Sequence, residues 1–377
     1  MTPFDITQFQ PKAWTILSRA YAADRVAGTY LFHGRDGFGH WPLAVALAAL
    51  LNCDKPVQSD LPDGELRPCG TCRHCRAIYN LNFQGLLVAL PLPPAKTSDD
   101  TIAMTNEILA NRRREPFCRL SATATTNIPI ATAREIKRSL SRKAPDGITR
   151  LALFDRMEKM RADSADALLK MIEEPPSDTV IVLTAERPES LLPTIQSRAQ
   201  RIRLERISPD AIEQYLIQNY DLSEKRARLL ARISDGSLGQ AIELIDSGEE
   251  SDTSRRAVGF MLFKALLTEE APAVVAHLAE LVNPRDRGEA EDLLRLWQSL
   301  IRDCSRFAQV GEEQELTNID FAADLMRLST HFVDSQLAAG MSTQIKISLA
   351  DLGLNVHILG SLTALALKLK ASVEAAR

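Results

Sequence analysis

Four of the six cysteines lie in one short window, where their spacing is typical of a metal site. Cys53 is followed after fifteen residues by Cys69, Cys72 and Cys75, which repeat at C-x-x-C intervals. Four thiolates form the closed tetrahedral shell of a structural zinc ion and leave no open position for catalysis. The window therefore predicts structural Zn²⁺, with free or disulfide-bonded cysteines as the alternative. Arginines and carboxylates are mixed around the cysteines, which favours a structural or protein-contact role over nucleic-acid binding.

A glycine-rich loop, GRDGFGHW at 34–41, separates an apolar strand-like run from an apolar helix-like run. Gly34 and Gly39 have the spacing of a phosphate-binding loop, and Gly37 lies between them. In a working loop, Lys and then Ser or Thr follow the last glycine, but here His40 and Trp41 stand in their places. A mostly neutral imidazole is a poor cation, and an indole offers no ligand to Mg²⁺. We therefore predict a degenerate loop that keeps the shape of the site without its chemistry. A glycine-rich turn unrelated to nucleotides is the alternative.

The stretch 150–204 has the pattern of a strand–helix–strand unit in a parallel sheet. Its central part, LLKMIEEPPSDTVIVLTAERPESLLPTIQSR at 168–198, closely resembles the core of bacterial clamp-loader subunits. These are the AAA+ proteins that open the replicative sliding clamp. Within this family the sequence is most similar to the delta-prime type of DNA polymerase III.

The resemblance implies further departures from an active ATPase. The strand that ends at residue 154 leads into Asp155-Arg156, where an active family member has Asp-Glu. Arg156 cannot act as a general base, because its pKa is too high to release a proton. Thr184 stands where the family has a nucleotide-sensing residue, and we expect it only to hold the strand end. Gln240 stands where an active lid has an arginine that contacts phosphate.

Arg198 is the residue for which the resemblance implies a catalytic role. The Ser-Arg-Cys motif of the family appears here as Ser197-Arg198-Ala199. In clamp loaders this arginine reaches the γ-phosphate of ATP in the neighbouring subunit, where a planar and permanently charged guanidinium stabilises the developing charge. An arginine paired on its own surface is the alternative.

The elements expected to position these residues follow from apolar runs and from capping and breaking residues. We expect strands at 29–33, 86–90, 128–130, 148–154, 179–184 and 201–204. A helix of about 12 residues, capped by Asp163 or Ser164, should end before Pro175, and a capping box from Thr132 to Glu135 should open a helix to residue 143. Further helices are expected at 11–23, 42–51, 208–219, 223–233, after residue 235, and at 255–268, 272–282, 287–308, 318–338 and 343–374. Apart from the strand at 86–90, we interpret 83–127 as a loop-rich region, in which the basic triplet at 112–114 should form a solvated helix face, with contact to phosphate as the alternative.

The bulk composition limits the class of protein. A chain of 377 residues is long enough for two or three domains. The net charge of −4 argues against a free-standing DNA-binding protein. No apolar run is long enough to span a membrane, and the N-terminus lacks the features of a signal peptide, so we expect a cytoplasmic protein.

Together these features predict an α/β AAA+ domain of the P-loop type at 1–206, with a parallel sheet, flanking helices and a zinc insertion at 53–75. A three-helix lid at 207–250 should follow, then a polar linker at 249–252 and an all-α collar domain at 251–377. The resemblance implies a subunit of the sliding-clamp loader, within the DNA polymerase III holoenzyme, that does not hydrolyse ATP itself. Its implied partners are motor subunits of the gamma/tau type, the delta subunit, the sliding clamp and primed DNA. The alternatives are an active motor ATPase and a zinc-containing nucleic-acid-binding adaptor.

Overall fold

The computed structural model describes residues 5–58, 65–120, 126–166, 168–246, 249–311, 316–352 and 356–375. The chain divides into two compact units. The first contains residues 1–215 and 236–243, and the second contains residues 216–235 and 244–377. The three-domain division predicted from the sequence stays a prediction.

A five-stranded parallel sheet is the framework of the first unit. Its strands are β1 (Thr29–His33), β4 (Leu86–Ala89), β5 (Arg150–Phe154), β6 (Thr179–Ala185) and β7 (Gln200–Arg203). They lie in the order β4-β5-β6-β1-β7, so the carboxyl ends of β1, β5 and β6 are neighbours at one edge. A separate antiparallel pair, β2 (Val57–Gln58) and β3 (Leu66–Arg67), belongs to the cysteine window. The sheet and its flanking helices have the architecture of an AAA+ P-loop domain, as predicted.

Helices cover both faces of this sheet, as a parallel sheet requires. They are α1 (Pro11–Ala22), α2 (His40–Leu51), α3 (Arg73–Tyr79), α4 (Ser98–Arg114), α5 (Ile130–Leu140), α6 (Ala162–Asp166), α7 (Leu169–Glu173) and α8 (Pro193–Gln196). Helix α2 is buried on all sides along its first eleven residues, which explains why its sequence is apolar without a polar face. One core cluster joins strand residues Leu31, Phe154 and Leu183 to Ile136 and Leu140 of α5.

The remaining helices are longer on average. They are α9 (Pro209–Tyr220), α10 (Glu224–Ile233), α11 (Leu238–Asp246), α12 (Glu249–Thr268), α13 (Ala271–Leu281), α14 (Arg287–Val310), α15 (Ala322–Leu328), α16 (Ser335–Leu352) and α17 (Ile358–Ala375). Helix α14 lies at the centre of the second unit, where Trp297 is fully buried and donates a hydrogen bond of 3.0 Å to the carbonyl of Gly259. Buried Asp303 accepts hydrogen bonds from the backbone N–H groups of Thr317 and Asn318, which fixes the chain after α14. None of the described helices has the combination of length and apolar character needed to cross a bilayer.

Several predicted boundaries are wrong. Residues 128–130 form no strand, because the N–H of Ile128 bonds to Lys159 and Ile130 already begins α5. The capping box at Thr132 is absent, since α5 starts two residues earlier, after Pro129. The predicted helix before Pro175 is divided into α6 and α7, and the linker at 249–252 is the first turn of α12. In the second unit, the helices predicted at 318–338 and 343–374 are instead α15, α16 and α17.

Candidate functional site: the glycine loop and the ends of the central strands

The glycine loop connects β1 to α2 at the carboxyl edge of the sheet, where P-loop proteins bind phosphate. Gly37 and Gly39 have φ angles of 82° and 102°, a left-handed conformation that glycine adopts at little cost. A Cβ at Gly34 would lie 2.8 Å from the carbonyl oxygen of Leu204, so this position also needs glycine. The loop therefore has the tight backbone that the glycine spacing predicted.

His40 and Trp41 form the first turn of α2 and are both buried, with 8% and 2% of their surface exposed. Burial lowers the pKa of His40 more than the surrounding carboxylates raise it, so the imidazole is neutral near pH 7. Its Nε2 atom has no hydrogen-bond partner in the described part of the chain. The position of the phosphate-binding lysine is thus held by an uncharged and enclosed side chain.

The strand ends beside the loop bring Asp155, Arg156 and Thr184 together. Asp155 follows β5, and its Oδ1 accepts a hydrogen bond of 2.7 Å from the hydroxyl of Thr184, near the end of β6. The same hydroxyl oxygen accepts a 2.7 Å hydrogen bond from the backbone N–H of Arg156, which has a left-handed φ of 57°. Thr184 therefore joins the ends of two strands, which is the holding role expected of it.

A group of arginines and carboxylates fills the cleft next to these residues. The guanidinium of Arg156 lies 3.7 Å from Asp36, and that of Arg119 lies 3.5 Å from it. Burial alone would raise the pKa of Asp36, but Arg156, Arg119 and Arg112 outweigh it and hold the pKa well below its usual range. Arg156 also approaches Glu158 to 3.8 Å. The residue in place of the catalytic glutamate is therefore a cation inside an internal charge network.

Arg112 enters this cleft from the end of α4. Its guanidinium lies 3.2 Å from Asp155, with only 7% and 4% of the two side chains exposed, and 5.1 Å from the centre of the Trp41 ring. Arg113 and Arg114 are exposed. The prediction that the basic triplet forms a solvated face is therefore wrong for Arg112.

The glycine turn at 236–239 packs directly against the glycine loop. The backbone N–H of Gly239 donates to the carbonyl of Gly37 at 3.2 Å, and the hydroxyl of Ser237 donates to the carbonyl of Asp36 at 2.9 Å. The side chain of Gln240 accepts a hydrogen bond from Arg35. The loop and the turn are therefore linked by the protein itself, at the position where the lid of an active subunit would contact phosphate.

Arg198 lies apart from this cleft, just after α8. Its guanidinium donates to the carbonyl of Thr194 at 3.0 Å and to Glu173 at 3.2 Å, and 34% of the side chain is exposed. An ion pair this exposed contributes at most about 1 kcal/mol, so its dissociation costs little. The guanidinium is therefore accessible to an external anion.

The four predicted metal ligands converge. The sulfur atoms of Cys53, Cys69, Cys72 and Cys75 all lie within 4.8 Å of one another. Backbone N–H groups of Cys69, Cys72 and Cys75 donate to the sulfurs of Cys53, Cys69 and Cys72 at 3.2–3.4 Å, an arrangement that favours thiolates.

This donor set fits zinc. Burial alone would raise the pKa of Cys69, but hydrogen bonds from Cys72 and Thr71 lower it to about 6. Burial raises the pKa of Cys75, so a bound cation would be needed to hold that sulfur as a thiolate. Nearby His74 pairs with Asp54 at 3.0 Å and is not part of the cysteine cluster.

Sequence reasoning did not single out the cleft carboxylates Asp36, Glu158 and Glu186, nor Arg119, which reaches Asp36. Asp36 was inside the loop motif, so its place between two glycines was the available signal. Arg119 and Glu158 reach the cleft only through tertiary packing, and no local pattern marks them.

Comparison with known proteins extends the interpretation of this site. Residues 9–208 match the family described as DNA polymerase III, delta subunit, which is more than half of the chain. The chain is 27% identical to DNA polymerase III subunit delta′ of Bacillus subtilis over 254 residues, covering 67% of this chain and 64% of that protein. It is 27% identical to subunit delta′ of Escherichia coli over 280 residues, covering 71% of this chain and 72% of that protein. It is 28% identical to subunit tau of Salmonella typhimurium over 261 residues, covering 67% of this chain and 34% of that protein.

Proposed function

Because the chain belongs to the DNA polymerase III delta subunit family, as a clamp-loader subunit of the bacterial delta-prime type, we propose that it is a ring member that does not hydrolyse ATP. In this proposal it supplies Arg198 to the ATP site of a neighbouring motor subunit. The assembly would then open the sliding clamp and load it on primed DNA. Motor subunits of the gamma/tau type and a delta subunit are the proposed partners, and a cytoplasmic location stays part of the prediction.

The observation that carries the proposal is that the positions where an ATPase needs a lysine, a hydroxyl and a glutamate are occupied by side chains that are enclosed or paired within the protein. His40 is neutral and enclosed, and Trp41 takes the position of the hydroxyl that would bind the metal ion. Arg156 can abstract no proton from water, and it is engaged with Asp36. Within the described residues, the loop position holds no phosphate-binding lysine and the position after Asp155 holds no glutamate to act as general base, which supports the proposal that the chain does not carry out phosphoryl transfer.

Arg198 supports the second half of the proposal because its guanidinium remains accessible. Only Glu173 and the carbonyl of Thr194 bond to it among the contacts described here. A guanidinium is planar and always charged, so it matches the oxygens of a transferring phosphoryl group. When Arg198 leaves Glu173 for a phosphate of the neighbouring subunit, it would exchange one anionic partner for a more highly charged one.

The cysteine cluster would hold Zn²⁺ through all four sulfurs. A closed shell of four cysteines leaves no position for water, so the ion would stabilise the loop between α2 and α3 and take no part in ATP hydrolysis.

The test is to reconstitute the loader from the subunits of the same organism and to compare Arg198→Ala with the wild type. Turnover of ATP is measured with clamp and primed DNA present. We expect the ATP site that Arg198 completes to lose on the order of 10³-fold in rate, and total turnover to fall at least by the share of that site.

The matched control is Arg201→Ala. Arg201 is an exposed arginine three positions away, and it bonds to Gln196 at 2.9 Å. This variant should leave turnover unchanged. If Arg198→Ala assembles normally and keeps full turnover, Arg198 is not the finger and the chain has only a scaffolding role.

A further inference from the structure

Helix α4 packs in an unusual way for a helix of 17 residues. Throughout Ser98–Arg114, all of which is described, Arg112 is the one buried side chain. A helix normally buries an apolar stripe, and here Ile102 is 57% exposed while the guanidinium of Arg112 is enclosed. The segment 112–119, which we call the cover segment, continues from this arginine across the glycine loop.

Arg112 lies between two positions that share a metal ion in an active P-loop site. In such a site, Mg²⁺ is held by the Ser or Thr after the loop lysine and by the aspartate that follows another strand of the sheet. Trp41 and Asp155 occupy these positions here. The Arg112 guanidinium contacts both, at 5.1 Å from the Trp41 ring centre and 3.2 Å from the Asp155 carboxylate.

We propose that Arg112 is a built-in cation that takes the place of the metal ion in this degenerate site. The positive charge comes from the chain itself, so the aspartate at the strand end stays neutralised without nucleotide or Mg²⁺. The aromatic ring at position 41 suits this exchange, because an indole attracts a guanidinium but cannot bind a metal. The inference does not depend on the role of Arg198.

The rest of the cover segment keeps Arg112 in position. The carbonyl of Pro116 accepts a hydrogen bond of 3.4 Å from the guanidinium. Phe117 is buried, and its ring centre lies 4.9 Å from that of Phe9 and 5.7 Å from that of Tyr215. A Cβ at Gly39 would lie 3.0 Å from the Phe117 ring, so the ring lies directly on the loop.

At its far end the cover segment links the loop to the glycine turn. Arg119 lies 3.5 Å from Asp36 of the loop and 2.8 Å from Glu243, which follows the turn. The segment therefore contacts the site at three points, through a cation, an aromatic ring and a second cation. This arrangement explains why an otherwise weakly packed helix ends in a well-packed segment.

Charge balance explains why the site needs Arg112. The cleft is lined by Asp36, Asp155, Glu158 and Glu186, against Arg112 and Arg156, and Arg119 also pairs with Asp36. Asp155 is 3% exposed, and without Arg112 its carboxylate would keep the hydrogen bond from the Thr184 hydroxyl but lose the guanidinium that pairs with it directly, leaving only the more distant charge of Arg156 among the described arginines of the cleft. Loss of the directly paired cation from a buried carboxylate is strongly unfavourable, and the carboxylate would then attract a free cation.

The experiment compares the full-length wild type with Arg112→Ala, Asp155→Asn and the double variant, by thermal unfolding with and without Mn²⁺. Arg112→Ala should lower the midpoint by on the order of 5 °C or more, because it leaves a buried carboxylate unpaired. The midpoint of the double variant should fall by less than the sum of the decreases in the two single variants. Mn²⁺ should raise the midpoint of Arg112→Ala but not that of the wild type or of the double variant.

Two further variants keep the test decisive. Arg113→Ala changes the exposed arginine next in the sequence and should behave like the wild type with and without Mn²⁺. If Arg112→Ala does not fold, Arg112→Lys takes its place, because it retains the charge without the planar contact to Trp41. Its unfolding midpoint should be lower than that of the wild type and should not respond to Mn²⁺. Equal stability of Arg112→Ala and Arg113→Ala, additive losses in the double variant, or no effect of Mn²⁺ on Arg112→Ala would each overturn the proposal.

Discussion

The backbone N–H of Gly239 donates a hydrogen bond of 3.2 Å to the carbonyl oxygen of Gly37, so two glycine-rich turns that are about 200 residues apart in sequence touch through their main chains. A Cβ at Gly37 would lie 2.2 Å from the hydroxyl of Ser237, and a Cβ at Gly239 would lie 2.9 Å from the Cα of Gly37. The two turns therefore approach each other so closely that neither position 37 nor position 239 has room for a side chain. In an ATPase the phosphates would connect these elements, and here the backbone connects them directly.

Gly37→Ala should break this contact. Residue 37 has a φ of 82°, and the new methyl group would collide with buried Ser237. Strain and overpacking together should lower the free energy of unfolding by roughly 2–4 kcal/mol, measured by urea denaturation.

Gly147→Ala is the matched control for that measurement. Its φ of 76° is similar, but nothing lies within 4 Å of the added Cβ. It should cost only about 1 kcal/mol of backbone strain. Equal losses for the two variants would mean that the contact between the turns contributes nothing to stability.

The framework of the first unit was predictable because it depends on local signals. Strand β1 was predicted with its observed bounds, β6 within one residue and β5 within two, since a buried parallel strand is a short run of apolar and β-branched residues. The convergence of the four cysteines was also predictable, because C-x-x-C spacing brings two sulfurs together wherever the segment lies. These features need no knowledge of distant parts of the chain.

The contents of the cleft were not predictable in the same way. Arg112, Arg113 and Arg114 are identical in type and adjacent in sequence, and only the packing of α4 decides which one is buried. The false strand at 128–130 has a similar origin, because the apolar pattern there reflects burial of Ile128 next to residue 159. Sequence patterns indicate reliably that a residue is buried, but they indicate less reliably which other residues pack against it.

The cysteine cluster predicts a stoichiometric metal. Protein purified in the presence of zinc should contain one Zn²⁺ per chain by elemental analysis, and Cys72→Ser should lose it and be destabilised by several kcal/mol. Cys72 is a suitable target because its sulfur also caps α3 by accepting from the N–H of Cys75.

Cys118→Ser is the control for zinc content. Cys118 is a cysteine outside the cluster, so its replacement should leave the metal in place. Absence of zinc from the wild type, or full zinc content in Cys72→Ser, would show that the four sulfurs are only close neighbours.

Glu158 makes the stability of this site depend on pH. Burial raises the pKa of its carboxyl from 4.5 to about 7, despite the opposing effect of Arg156. The side chain is 15% exposed, so little of this effect is screened by solvent. The folded protein therefore binds a proton between these two pH values that the unfolded chain has released. Stability from this group is present below pH 4.5 and is lost as the pH rises to about 7.

The comparison of wild type with Glu158→Gln isolates this contribution. The glutamine cannot titrate, whereas His40, Asp36, Asp155, Glu186 and Arg156, which face or surround Glu158, are present in both proteins. Between pH 4.5 and 7 the free energy of unfolding of the wild type should fall relative to the variant by up to about 3 kcal/mol, and the difference should be constant above that range.

Chemical denaturation at a series of pH values measures this difference. Glu135→Gln, which changes a carboxyl group with 68% of its side chain exposed, is the control and should give a nearly constant difference from the wild type. His40 titrates in the opposite direction, because its lowered pKa removes stability as the pH falls, and it contributes equally to both members of the Glu158 pair. A difference between wild type and Glu158→Gln that does not change with pH would mean that the Glu158 carboxyl is ionised throughout, with Arg156 outweighing its burial.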